Sequence, residues 1–421
     1  MSNVKIRLTI LNFLQFFVWG TWLLSFGKYL NSTLGFTGEQ IGAIFMAVGI
    51  GAIFMPALMG ILADRYIKPN TVFGALHILG AGMLFLAAQE QTFSALYPVM
   101  LIYLMLYMPT ISLNNSISYE ILKRERFDVV KAFPPIRVWG TIGFIIAVWI
   151  VDFLGWGVSE NQLYFAAAFS LILGLYSLTF KTQKPAKTGE KFSLYKALGL
   201  DAFVLFKERK MAIFFIFSIL LGAALQITNM WGEAFIHDFG SLTEFKDTFA
   251  VKNNGIIMSI SQMSEVLFIL TIPFFLKRFG IKKVMLMSMF AWVLRFMLFS
   301  AGSPVGIGLA LIILSNIVYG MAFDFFNISG SLFVEKEAKP EIRGSAQGLF
   351  IIMANGFGAM IGAYFSGWII DLYTANGVKD WDSIWAIFGI YSLLVAIAFM
   401  ILFKYKHNPE EIKKAEEAGK I

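Results

Sequence analysis

The sequence has no cysteine and only three histidines, His77, His237 and His407, scattered along its 421 residues. The first absence excludes disulfides, a thiolate nucleophile and a cysteine-ligated metal. The second leaves too few neighbouring donors for a histidine metal site. Charge is also scarce: Asp, Glu, Lys and Arg make up 14% of the chain, against about 25% in a soluble domain. No Ser–His pairing, metal-ligand cluster or soluble sensor domain stands out, so an intramembrane enzyme or receptor is not expected, and neither is a cofactor.

Apolar residues are in excess, at 58% of the chain. They fall into long runs, and twelve of these approach the roughly 20 residues needed to cross a bilayer. The runs lie near 8–30, 38–62, 70–88, 94–120, 132–152, 161–180, 211–236, 252–276, 283–301, 305–333, 342–370 and 383–403. The expected fold class is therefore an all-α membrane protein of twelve transmembrane helices. No small-residue cleavage site follows the first run, which is expected to serve as an uncleaved insertion signal.

The formal charge of +7 could suggest nucleic acid, but the basic residues occupy alternate loops. On the side of the N-terminus lie Lys5, Arg7, Arg65, Lys68, Lys123, Arg124, Arg126, Lys131, the lysines of 181–210, Lys277, Arg278, Lys282, Lys283, Lys336, Lys339 and Arg343. The opposite loops hold only Lys28, Lys246, Lys252 and Lys379. By the positive-inside rule both termini are cytoplasmic, in a bacterial cytoplasmic (inner) membrane. No nucleic acid and no obligate protein partner is implied.

Residues 181–210 form the one long cytoplasmic loop and divide the chain into six spans plus six. The expected domains are 1–180, a linker 181–210, 211–404 and a tail 405–421. Within the linker, Ser193–Phe206 reads as an amphipathic helix lying on the membrane surface. A weak internal repeat supports the division. The second-to-third junction, Gly60-Ile-Leu-Ala-Asp64-Arg65-Tyr-Ile-Lys68, is answered half a chain later by Lys277-Arg278-Phe-Gly280-Ile-Lys282-Lys283. Six plus six with a basic linker is the layout of the major facilitator superfamily, whose substrate sites lie near the membrane midplane. The first junction partly resembles that superfamily's loop signature, without its second glycine.

Against this apolar background, Arg137, Glu265 and Asp324 each sit inside a membrane run. A charge at bilayer depth costs at least about 2.5–3.5 kcal/mol, so such residues mark a polar cavity. At helical spacing they belong to stripes: Arg137, Thr141 and Phe144; Gln226, Asn229 and Glu233; Gln262 and Glu265; Tyr319, Phe323 and Asn327 beside Asp324; and Gln15, Trp19 and Trp22. Gln15 and Asn327 are secondary cavity candidates, because lone polar residues often only join helices. Burial and a nearby arginine act in opposite directions on a carboxylate. Glu265 and Asp324 are accordingly the proton-coupling candidates, Asp324 toward the cytoplasmic end of its span. Arg295 is expected to snorkel outward, and His77 to be a satisfied interior histidine. Glu120, Glu335 and Glu337 are expected in cytoplasmic charge networks. Pro134-Pro135 should occupy the first turn of the fifth helix, and Gly356, Gly358, Gly362 and Gly367 should form a packing face.

Amides both donate and accept, as a nucleobase edge does. Carboxylates accept from sugar hydroxyls, and Phe144, Tyr319 and Phe323 can stack on a flat ring. A neutral, partly flat solute fits this set. The segments Phe133-Pro-Pro-Ile-Arg137-Val-Trp-Gly-Thr141-Ile-Gly-Phe144, Leu225-Gln226-Ile-Thr-Asn229-Met, Ser261-Gln262-Met-Ser-Glu265 and Tyr319-Gly-Met-Ala-Phe323-Asp324-Phe-Phe-Asn327-Ile-Ser-Gly330 resemble those of the bacterial nucleoside:proton symporters of the major facilitator superfamily. The likeness runs from Phe13 to His407; Trp231, Glu233 and the tail from Glu410 fall outside it. It implies proton-coupled nucleoside import by alternating access, with nucleosides, protons and the lipid bilayer as partners. It also implies a substrate site lined by Arg137, Thr141, Phe144, Gln226, Asn229, Gln262, Glu265, Tyr319 and Phe323. The rival readings are a proton-coupled sugar or oligosaccharide symporter and, further off, a multidrug exporter.

Overall fold

The computed structural model describes residues 3–183 and 200–405. Of the expected surface segment Ser193–Phe206, residues 193–199 lie outside the described residues, and Leu200–Lys207 is a 3₁₀ helix. The tail from 406 on also lies outside them.

The rest is helix upon helix. In the first half these are α1 (Asn3–Gly20), α2 (Phe26–Ser32), α3 (Gly38–Arg65), α4 (Pro69–Ala87), α5 (Phe93–Arg124), α6 (Val129–Phe153) and α7 (Asn161–Leu178). The second half has α8 (Arg209–Asp238), α9 (Asn254–Ser300), α10 (Gly306–Glu337), α11 (Arg343–Ile351), α12 (Ala359–Leu372) and α13 (Trp381–Leu402). A π-helical turn, Ile352–Gly358, joins α11 to α12. A two-residue antiparallel ladder, Thr374–Ala375 with Val378–Lys379, precedes α13.

Ten helical stretches among the described residues are long and apolar enough to cross a bilayer. The 47-residue α9 contains two of the expected spans, since it turns at Gly280, where φ is 74° and ψ is 165°. Glycine reaches that left-handed region without a Cβ penalty. The first expected span is divided into α1 and α2. Ser25 donates its hydroxyl to Gln162 Oε1 at 2.8 Å, and Thr21 donates back to the Val18 carbonyl at 2.7 Å. Such back-bonding by Thr bends helices.

The start of the fifth span differs from expectation. Helix α6 begins at Val129, so Pro134 and Pro135 lie inside it. Asp128 starts the helix upstream: its carbonyl accepts from the Ala132 amide at 2.8 Å and its carboxylate from the Lys131 amide at 3.4 Å.

The chain forms two compact units. The first is Met1–Leu198 with Asn229–Ala234 and Ala363–Gly367; the second is Gly199–Thr228, Phe235–Gly362 and Trp368–Ile421. In the first, α1 packs on α6, α3 on α5 and α4 on α7. In the second, α9 packs on α10 and α13. There α8 meets the π turn backbone to backbone: a Cβ on Gly222 would stand 1.9 Å from the Ala354 carbonyl oxygen, and one on Gly362 would stand 2.4 Å from that of Ala223. The expected glycine packing face therefore exists at Gly358, Gly362 and Gly367, each of which would meet backbone within 2.6 Å.

Candidate functional site

Helix α10 carries the aromatic part of the site. Tyr319 and Phe323 are one helical turn apart, and their rings stack with centroids 5.7 Å apart and planes 8° from parallel. Trp292 of α9 meets Tyr319 edge-on at 6.0 Å. Tyr319 is buried and Phe323 half-buried, so the pair offers a flat platform with one accessible end. Asn327, the next residue of the stripe, donates its Nδ2 to the Phe323 carbonyl at 3.1 Å.

Nine buried side-chain polar atoms of this unit have no hydrogen-bond partner among the described residues, and three of them belong to expected site residues: Gln226 Nε2 on α8, Gln262 Oε1 on α9 and Asp324 Oδ2 on α10. Nearly all buried polar groups in native proteins are bonded, and an unmet one costs about 1–3 kcal/mol. Three sequence-predicted site residues in one unit are thus held unmet. Glu265, half-buried on α9, lies within electrostatic reach of Tyr319 and Asp324. Asp324 lies on α10, nearer its Glu337 end than its Gly306 end.

Arg295 was expected to reach outward, but it is 1% exposed. Its guanidinium lies 4.9 Å from the Tyr319 and Phe299 ring centroids. Its NH1 donates to the Ser315 carbonyl at 2.7 Å and to Asn316 Oδ1 at 3.4 Å. Asn316 Oδ1 also accepts from Ser261 Oγ at 2.8 Å, next to Gln262. Carbonyl acceptors on α10 hold the cation inside, so it has no need to snorkel.

In the first unit the Arg137 guanidinium lies 3.9 Å from the Phe16 ring centroid. Such a cation–π contact favours an arginine at depth. Thr141 is half-buried and Phe144 buried one and two turns further on the same helix. Asn229, half-buried on α8, clusters with this unit. Gln15 is fully buried: its Nε2 donates to Thr110 Oγ1 at 2.8 Å, and its Oε1 is 2.9 Å from His77 Nε2. His77 Nδ1 is 3.0 Å from Ser170 Oγ. His77 is the expected interior histidine, and Gln15 is its partner, facing the packed interior where a cavity position was expected. Of the expected charge contacts, Glu335 pairs with Arg343 at 3.4 Å and Glu337 with Lys210 at 2.7 Å, while Glu120 accepts from the neutral Gln183 backbone amide at 2.6 Å.

Two features escaped the sequence. Lys28, read as a loop residue, forms a buried ion pair with Glu233 at 2.9 Å. Asn355 lies on the π turn and lines a cleft in the second unit. The nearest signal was Glu233 itself, a carboxylate that needs a cation at depth.

Comparison with known proteins identifies the family and the fold. The profile of the family described as "Nucleoside H+ symporter" matches residues 1–408. The chain is 54% identical over 405 residues to nucleoside permease NupG of Escherichia coli (strain K12), covering 96% of this chain and 97% of that one. It is 52% identical over 411 residues to the xanthosine permease of the same organism, covering 98% of each. The crystal structure of nucleoside transporter NupG superposes with a TM-score of 0.91 at 54% identity, covering 96% of this chain and 100% of that chain.

Proposed function

The chain belongs to the nucleoside H+ symporter family, and from that premise we propose how its residues divide the work of proton-coupled nucleoside import. It is a multi-pass membrane transporter of the major facilitator fold; the sugar-symporter reading is not favoured, since relatives at 52–54% identity are nucleoside and xanthosine permeases. Import proceeds by alternating access, the mode of this fold. Both termini face the cytoplasm, on the distribution of Lys and Arg.

The observation that carries the reading is the set of unmet buried atoms on Gln226, Gln262 and Asp324 beside the Tyr319–Phe323 stack. The stack receives the base, with about 1–3 kcal/mol expected per stacked base. Gln226 and Gln262 bond the polar groups of the nucleoside, and Glu265 accepts from ribose hydroxyls. Arg137, Thr141, Phe144 and Asn229 of the first unit keep the substrate-binding roles that the family resemblance implies.

Asp324 is the proton carrier of this scheme. With Oδ2 unbonded, it can take a proton without breaking an existing bond, and the O–H so formed is a new donor. Releasing that proton inward draws on about 2.3 kcal/mol per charge per 100 mV and about 1.4 kcal/mol per pH unit.

Uptake of labelled uridine into proteoliposomes, with and without an inward proton gradient, tests the scheme. Accumulation above equilibrium that collapses with a protonophore is the expected result. Equilibration indifferent to the gradient removes the proton role from Asp324. No uptake by folded protein removes the nucleoside roles as well.

A further inference from the structure

A small cleft of about 20 Å³ opens within the second unit. Its lining includes Ser218 of α8, Trp292 of α9, Phe323 and Asn327 of α10, and Asn355 of the π turn. It begins where the aromatic platform ends, since Phe323 belongs to both.

The two asparagines bring hydrogen-bonding capacity that the protein does not use. Asn327 commits its Nδ2 to the Phe323 carbonyl, and its Oδ1 has no partner among the described residues. Asn355 is exposed to the cleft and makes no hydrogen bond among the described residues. Ser218 donates to the Phe214 carbonyl at 2.8 Å, which leaves its oxygen lone pairs as acceptors.

Backbone geometry fixes Asn355 in place. The preceding residue, Ala354, presents its carbonyl so close to Gly222 that a Cβ there would stand 1.9 Å away. Gly358, closing the turn, meets the Ile219 carbonyl at 2.6 Å in the same sense. Asn355 is thus clamped between two contacts with α8. The π turn carries more residues per turn than the helix around it, and such turns cluster at functional positions. Here the wider turn sets an amide on the cleft in a segment whose neighbours are Ala, Gly and Phe.

Aromatic floor and amide walls match one ligand chemistry: a flat ring with alternating carbonyl and N–H groups along its edge. A ring stacked on Phe323 directs that edge toward Asn327, one turn further along α10, and toward Asn355. We propose that this cleft is the base-edge subsite of the nucleoside site, and that Asn355 with Asn327 sets the preference among bases. The proposal rests on the nucleoside reading above and adds residues to it.

The test compares uridine, cytidine and 2′-deoxyuridine in initial-rate uptake by wild type, Asn355→Leu, Asn355→Asp and Asn327→Leu. Uridine and cytidine differ at two adjacent base-edge positions, a carbonyl against an amino group and a ring N–H against a bare ring nitrogen; 2′-deoxyuridine differs from uridine only in the sugar. A lost hydrogen bond of ordinary strength is worth about a fivefold change. Asn355→Leu is expected to change the uridine-to-cytidine KM ratio by about fivefold and leave the uridine-to-deoxyuridine ratio alone. Asn355→Asp, which only accepts, is expected to move the preference toward cytidine. Asn327→Leu reads the same ratio should the π-turn variants fail to fold. Equal changes for all three nucleosides, or no change, overturn the subsite while the nucleoside reading stands. Absence of nucleoside uptake by the wild type overturns both.

Discussion

Lys28 Nζ lies 2.9 Å from Glu233 Oε2, with the two side chains 4% and 2% exposed. The pair ties α2 to α8 inside the first unit, beside Gly157, where a Cβ would stand 2.7 Å from the ammonium. Removing one partner of a buried pair leaves a buried charge and costs about 3–5 kcal/mol. Lys28→Met and Glu233→Gln are therefore expected to lower the melting temperature in detergent markedly. The double variant Lys28→Met/Glu233→Met should lose less than the two single losses together. Single variants that melt with the wild type would show the pair to be energetically idle.

Phe323→Ala should weaken nucleoside binding by about 5- to 150-fold, the equivalent of one lost base–ring stack. Phe323→Trp should retain most of the affinity. Equilibrium binding of uridine to purified protein decides it, and unchanged affinity in the alanine variant sinks the stacking role.

Asp324→Asn should abolish uphill accumulation yet keep nucleoside exchange, because an amide holds hydrogen bonds but carries no proton. Glu265→Gln should weaken affinity first. Counterflow measured beside gradient-driven uptake separates the two effects. Full accumulation by Asp324→Asn would move the proton elsewhere.

Gly222→Ala should destabilise by at least about 1–3 kcal/mol, since its Cβ would meet the Ala354 carbonyl and backbone yields less than side chains do. Gly344→Ala is the control: nothing lies within 4 Å of its Cβ. That change should be neutral or stabilise by up to about 1 kcal/mol. Equal melting temperatures for the two variants would contradict the packing described at α8.

The twelve spans were legible because apolar length is itself the signal, and only the charged loops had to be sorted. Site candidates such as Tyr319, Phe323 and Asp324 stood out because polar and aromatic residues at helical spacing interrupt that signal. Arg295 and Lys28 were misplaced for a common reason. Depth along a span can be read from sequence, but the neighbour a side chain meets cannot. Arg295 is held by carbonyl and amide oxygens of α10, and Lys28 by a carboxylate two hundred residues away. The start of α6 was missed because Asp128 begins the helix ahead of a proline pair. Asn355 was invisible as a single amide in a glycine-rich stretch, its exposure set by a π turn with no marker residue.

Deleting one residue from Ile352–Gly358 would let ordinary helix replace the wider turn. The Ala354 carbonyl against Gly222 and Gly358 against the Ile219 carbonyl would then lose their present spacing along α8. Length changes are normally confined to surface loops. In this chain one residue's worth of length inside a membrane helix sets how it meshes with its neighbour. Descendants that change the amide at 355 alter what the cleft offers, but they inherit the register around it as one indivisible choice.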